Sequence, residues 1–139
     1  KTYWAIVKDK PAVEEGTLTH WLVRNEKQNK SYAYDREVPR SKKAVLHYRL
    51  IGCTDRYSLL EIQLMTGRHH QIRCQLARMG CPIKGDLKYG APRSNPDGSI
   101  SLLARKVELV HPVSKEPVSV VAPVPDDNLW QAIQPAHGE

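Results

Sequence analysis

The sequence is short of long apolar runs and of cysteine, and both shortages narrow what it can be. No uninterrupted apolar stretch approaches the roughly 18 residues a membrane-crossing helix needs, so no membrane partner is expected. Cys53, Cys74 and Cys81 are odd in number and lack CxxC spacing, which is wrong for zinc ribbons and fingers. They read as small buried hydrophobes of a reduced, cytoplasmic protein, with no metal. Internal repeats and low-complexity segments are lacking. So are an HExxH pair, a phosphate-cradling Gly-rich loop and a Ser/His/Asp arrangement with supporting context, which leaves metalloprotease, P-loop and triad chemistry without carriers. An initial methionine is missing too; "KTYWAIV" at Lys1 reads as the middle of a longer protein.

What is present suits one domain over residues 1–139, with enough chain to bury a real core. Hydrophobic residues make up 40% and charged residues 26%, ordinary values that argue against disorder. The net charge of +6 and pI of about 9.3 favour polyanionic partners such as nucleic acid.

Alternation gives the local structure. Tyr3 to Val7 is β-prone, "SYAYD" is a short strand, and Thr17 to Val23 is a strand or a loose connection. In "KAVLHYRLIGC", Val45, His47, Arg49 and Ile51 fall on one side and Ala44, Leu46, Tyr48 and Leu50 on the other. The polar tip "TDR" then leads into "YSLLEIQLM", where Leu60, Ile62 and Leu64 oppose Glu61 and Gln63, which predicts an antiparallel hairpin. "HHQIRCQLARMG" carries Ile72, Leu76 and Met79 at helical spacing and ends at Gly80 and Pro82. Pro82 to Ser99 is mostly loop, "LLARKVELVHP" and "EPVSVVAP" form a second hairpin, and "PDDNLWQAIQ" is an N-capped helical turn. The class is α+β, with helices packed on a largely antiparallel mixed sheet.

Chemistry concentrates in "TGRHHQIR". A strand that stops at Thr66-Gly67 and feeds a helix leaves backbone N–H groups unpaired at the positive end of the helix dipole. Arg68 stands there with a guanidinium that can grip a carboxylate or phosphate through two hydrogen bonds, and His69, His70 and Arg73 share the turn. The pattern predicts an anion site at a strand–helix junction, holding either a ligand phosphate or a carboxylate of the protein. The plainer alternative is a solvated surface cluster.

"LMTGRHHQIRCQLARMGCPIKGDLKYG" closely resembles the L-x-TGR-x-HQIR, helix, PIxGDxxYG stretch of RluA-type RNA pseudouridine synthases. "KTYWAIVKDKP" is similar to that family's K-x-Y-x-A-x-V segment, and "LLARKVELVHPVSKEPVSVVAPVPDD" to its closing region, so nearly the whole chain is covered in order. The resemblance implies a pseudouridine synthase-like fold, incomplete on its N-terminal side, and isomerisation of uridine in RNA without a metal or organic cofactor. Ribosomal RNA ranks ahead of transfer RNA as substrate. By the same resemblance Tyr3 is the tyrosine that stacks on the target base, and Arg68 pairs with the catalytic aspartate. His70, Gln71 and Arg73 shape the site or meet RNA backbone. Further RNA contacts are expected from Arg68, Arg73, Arg78, Lys84, Lys88 and Arg93. The family's aspartate sits in an HRLD-type segment, and none occurs in these 139 residues; Asp86, in "KGD", matches another position and reads as a loop organiser. The chain alone is therefore expected to be inactive, and to need the upstream part of the domain or to self-associate. The alternative is a non-catalytic RNA-binding module or a degenerate homologue of the same fold.

Overall fold

Seven alternating segments build the architecture. In the computed structural model, which describes residues 1–135, they form one sheet. The strands are β1 (Thr2–Lys8), β2 (Glu15–Asn25), β3 (Lys30–Tyr34), β4 (Lys42–Cys53), β5 (Tyr57–Leu64), β6 (Leu102–Val110) and β7 (Pro117–Val121). Their order is β3-β2-β4-β5-β1-β6-β7, so β3 and β7 are the edges. The last four residues of the domain expected over 1–139 lie outside the described residues.

The α+β class stands, but the mixed character expected of the sheet does not: every strand pairing is antiparallel. Short turns join the β2–β3, β4–β5 and β6–β7 hairpins, and such links permit only antiparallel neighbours. The long connection from β5 to β6 does bring the chain back parallel to β5, yet β1 lies between those two strands.

Both faces of the central strands are covered. On one, Ala5, Val7, Leu46, Tyr48, Leu60 and Ile62 close against Ile72 and Leu76 of helix α1 (Gln71–Arg78). On the other, Trp4, Ile6 and Leu59 meet Trp130 and Ile133 at the short helix α2 (Asn128–Ala132). Each fully buried aliphatic side chain of this kind contributes about 1.5–3 kcal/mol. The Asp127 carboxylate caps α2 by accepting the N–H groups of Leu129 (2.8 Å) and Trp130 (3.3 Å), as "PDDNLW" suggests. At the other end of the core, α1 stops where Gly80 takes a φ of 95°, a left-handed value that favours glycine.

Two details depart from the sequence reading. Cys53 is exposed, because it ends β4 beside the polar "TDR" turn; Cys74 and Cys81 are buried as expected. Burial pushes the Cys74 thiol up to about 11 and raises that of Cys81, so both stay protonated. The loop from Pro82 to Ser99 also carries more order than expected: Ile83 bridges to Val7, and Leu87–Tyr89 forms a 3-10 turn. Among the described residues no helix is long and apolar enough to cross a membrane.

Candidate functional site

The path from β5 into α1 is fixed by two buried amides. Gln71, only 3% exposed, accepts the hydroxyl of Thr66 and the backbone N–H of Arg68 on its Oε1, each at 2.9 Å. Its Nε2 donates to the carbonyl of Val45 (3.1 Å) and to Oε1 of Gln75 (2.9 Å). Gln75, fully buried, passes the chain on through Nε2 to Nδ1 of His20 at 2.8 Å. Burial holds the His20 pKa below its usual value, although Asp35 lies 3.9 Å from its Nε2 and acts in the opposite sense. A neutral His20 leaves Nδ1 free to accept, which matches the Gln75 bond. Buried polar groups are tolerated only when satisfied, and here they register α1 against β4 and β2.

A second network ties the turn to the following loop. Arg73 grips Asp86, itself 1% exposed, through Nε and Nη2 at 2.8 Å each, the two-pronged geometry guanidinium and carboxylate favour. Its Nη1 donates to Nε2 of His70 at 3.0 Å, and Nδ1 of His70 lies 2.8 Å from the Tyr89 hydroxyl. Since Arg73 can only donate, Nε2 must be the acceptor and the His70 proton sits on Nδ1. Burial first, then the Arg73 charge, lower the His70 pKa to about 4, in keeping with that neutral tautomer. The Tyr89 oxygen also accepts the backbone N–H of Ser31 at 2.9 Å, and burial raises its pKa. His70 takes a left-handed φ of 53°, uncommon outside glycine, and its two ring bonds brace it there. His69 stacks on His70 with centroids 3.9 Å apart and reaches Ser31 Oγ (2.9 Å) and the Asn29 side chain (3.0 Å) on the β2–β3 hairpin.

The residues expected to form the site fall into three groups. Arg68, His70, Gln71 and Arg73 share the turn, and of its two arginines only Arg73 is held by a carboxylate among the described residues. The Arg68 Nε donates to the carbonyl of Lys43 at 2.8 Å. Gln71 is too buried to touch RNA, and the bonds of His70 and Arg73 are taken up within the protein. Tyr3 stands on the same rim: it pairs with Ile62 near the end of β5, on the α1 face, beside a β-bulge where Thr2 and Tyr3 skip Arg105 of β6. Among the described residues no hydrogen bond or ring contact joins Tyr3 to Arg68.

The remaining cations lie elsewhere. Arg78, at the far end of α1, pairs with Asp35 at 2.9 Å, and Lys88 donates to the carbonyls of Gln28 (3.1 Å) and Asn29 (3.0 Å). Lys84 and Arg93 line a cleft of about 720 Å³ with Lys8, Arg56 and Tyr57. That cleft sits at the opposite rim, since Lys8 is five residues, about 16 Å, along β1 from Tyr3. Among the described residues no three metal-ligating side chains converge.

Sequence reasoning missed Gln75, Ser31 and Tyr89. The spacing of Gln71 and Gln75, four apart beside the Ile72–Leu76 stripe, was the available signal for the first. Ser31 lies 58 residues from its partner Tyr89, and nothing local in the sequence marks the pair. Asp86, read as a loop organiser, does organise the loop.

The sequence profile described as RNA pseudouridylate synthase matches residues 1–78, more than half of the chain. An uncharacterized RNA pseudouridine synthase of Synechocystis is 36% identical over 128 residues, covering 90% of this chain and 39% of its own length. One from Chloroflexus aurantiacus is 41% identical, covering 91% of this chain and 39% of its own length. A ribosomal large subunit pseudouridine synthase D of Xylella fastidiosa is 40% identical over 99 residues, which is 62% of this chain and 30% of that protein. The chain thus spans about two-fifths of the length of the first two relatives. The fold is that of the human RNA pseudouridylate synthase domain containing 4 protein, with a TM-score of 0.74 at 24% identity over 93% of this chain and 59% of that one. With its motifs, its sheet and more than half of its length in agreement, the chain belongs to the RNA pseudouridylate synthase family.

Proposed function

We propose that the chain is the C-terminal part of a catalytic domain that isomerises uridine to pseudouridine in structured RNA, in the cytoplasm. Ribosomal RNA is the substrate this reading favours, in line with the names of two relatives. The reaction breaks the bond from the ribose to N1 of uracil and makes one to C5, with N1 gaining a proton and C5 losing one. Tyr3 stacks on the extruded base, as an aromatic face at an open rim allows. Arg68 holds ionised a catalytic aspartate that these 139 residues do not contain. The observation that carries this reading is Arg68 itself, its backbone N–H held by a buried amide and its guanidinium left without a carboxylate among the described residues.

The test is to extend the chain upstream until it includes an HRLD-type aspartate and to assay pseudouridine in bulk ribosomal and transfer RNA. Activity in the longer chain, lost on Arg68→Ala, is the expected result; unaltered turnover by that variant overturns the assignment. The 139-residue chain alone is expected to be inactive, and turnover by it would refute the missing-nucleophile reading. RNA binding by the longer chain without turnover would favour a non-catalytic RNA-binding module. The exposed apolar side chains of the β6–β7 hairpin, Leu109, Val110, Val113, Val120 and Val121, support a need for partner polypeptide or self-association. A monodisperse monomer in light scattering would count against that need.

A further inference from the structure

The β2–β3 hairpin overhangs the rim that carries Arg68. Strand β4 begins opposite Leu22, while the pairs Val23–Tyr32, Arg24–Ser31 and Asn25–Lys30 continue beyond it, an overhang of about 10 Å. Ser31 and Ala33 turn toward α1, so Tyr32 and Tyr34 project from the opposite face, and they remain 38% and 42% exposed. Across the sheet Tyr34 pairs with Trp21, and Trp21 with Lys43, whose carbonyl receives the Arg68 side chain. A continuous row therefore runs from Arg68 to the edge strand. His69, the next residue after Arg68, is bonded to Ser31 and Asn29 of the same hairpin.

The surface is strongly basic. Residues 21–43 hold seven lysines and arginines against three carboxylates, a net +4 out of the chain's +6. Tyr32 and Tyr34 stand between two open hollows of about 810 and 420 Å³, the first bordered by Arg36 and the second by Arg24 and Arg40. Among the described residues none of these three arginines is ion-paired, in contrast to Arg73 and Arg78. The Tyr32 hydroxyl donates to Gln28 at 2.5 Å, which fixes its ring, and Lys30 Nζ lies 5.2 Å from the ring centroid. Exposed aromatic rings flanked by unpaired cations suit single-stranded nucleic acid, because bases stack on the rings while phosphates meet the charges. A duplex keeps its bases stacked inside and cannot use the rings.

We infer that the outer face of the β2–β3 hairpin binds an unpaired RNA segment flanking the target uridine, with bases stacked on Tyr32 and Tyr34 and phosphates held by Arg36 and Arg40. This rests on the reading of the chain as part of an RNA-modifying domain. The test measures binding of the 139-residue chain to a fluorescent unpaired uridine-rich RNA and to an RNA duplex of equal length, by anisotropy across a salt series. Wild type should prefer the unpaired RNA. The double variant Tyr32→Ala/Tyr34→Ala should lose at least about tenfold of that affinity with an unchanged salt slope, whereas Tyr32→Phe/Tyr34→Phe should keep it. Arg36→Gln/Arg40→Gln should instead flatten the salt slope by about 1.4. Unpaired RNA bound equally by wild type and the alanine variant overturns the hairpin assignment and leaves the proposed function standing. Failure of wild type to bind either RNA overturns both.

Discussion

The carboxamide oxygen of Gln71 accepts the backbone N–H of Arg68 at 2.9 Å, so the arginine is positioned through its main chain by a residue that is only 3% exposed. Replacing Gln71 by leucine keeps the volume but strands the Arg68 N–H and the Gln75 carboxamide oxygen, while the Thr66 hydroxyl keeps the carbonyl of Val45. The expected loss of stability is about 2–3 kcal/mol in urea unfolding. A change within a few tenths of a kcal/mol would mean that the network is dispensable.

Asp86 is the buried half of an ion pair whose other half, Arg73, is partly solvated. The Arg73 pKa is raised, chiefly by the hydrogen bonds to Asp86, so the guanidinium remains charged at every accessible pH. Asp86→Ala leaves that cation without a counter-charge beside His70, and a cost of roughly 3–5 kcal/mol is expected. Thermal unfolding of the variant should shift accordingly; an undisturbed midpoint would show that the pair contributes nothing.

His70 gives the fold a defined acid limb. Its folded pKa of about 4 lies below the ordinary 6.5, so the unfolded chain binds more protons between those values. Stability from this group is complete above pH 6.5, falls as pH drops, and is gone near pH 4. His20 and His69, also lowered chiefly by burial, act in the same direction. The urea midpoint should decline from pH 7 to pH 4.5, and His70→Gln should make that decline shallower. An equally steep decline in the variant would remove His70 from the account.

Gly52 lies in the β4 bulge under the last turn of α2, where a Cβ would overlap the carbonyl oxygen of Ile133. Gly52→Ala should push α2 off Trp4 and Leu59, costing about 1–3 kcal/mol. Trp130 fluorescence and the unfolding midpoint report the two effects; a fully stable variant would mean that the helix end yields freely.

The hairpins, α1 and the α2 cap were legible because alternation, helical spacing and turn residues act over neighbouring positions. The β4–β5 hairpin is the clearest case, with Leu46 and Leu60 on the inner side as their spacing suggests. Arg68 could be singled out for the same reason, as a cation at a strand end. The fate of the other cations could not: Arg73 and Asp86 are 13 residues apart across a loop, and Arg78 and Asp35 are 43 apart. Composition counts these charges alike, and only the fold separates the paired ones from the open ones. Cys53 failed for a simpler reason, since a cysteine beside a polar turn ends up wherever the strand end does.

The glutamine ladder under α1 has one more consequence. Apolar packing tolerates small sliding, because a methyl group shifted by half an ångström still touches something. Directional bonds are stricter, because a donor swung out of line with its acceptor weakens steeply. A helix pinned by Gln71 and Gln75 to Val45 and His20 is therefore held to its register more tightly than its apolar contacts alone would hold it. Whatever shifts that register shifts the main chain at Arg68 with it.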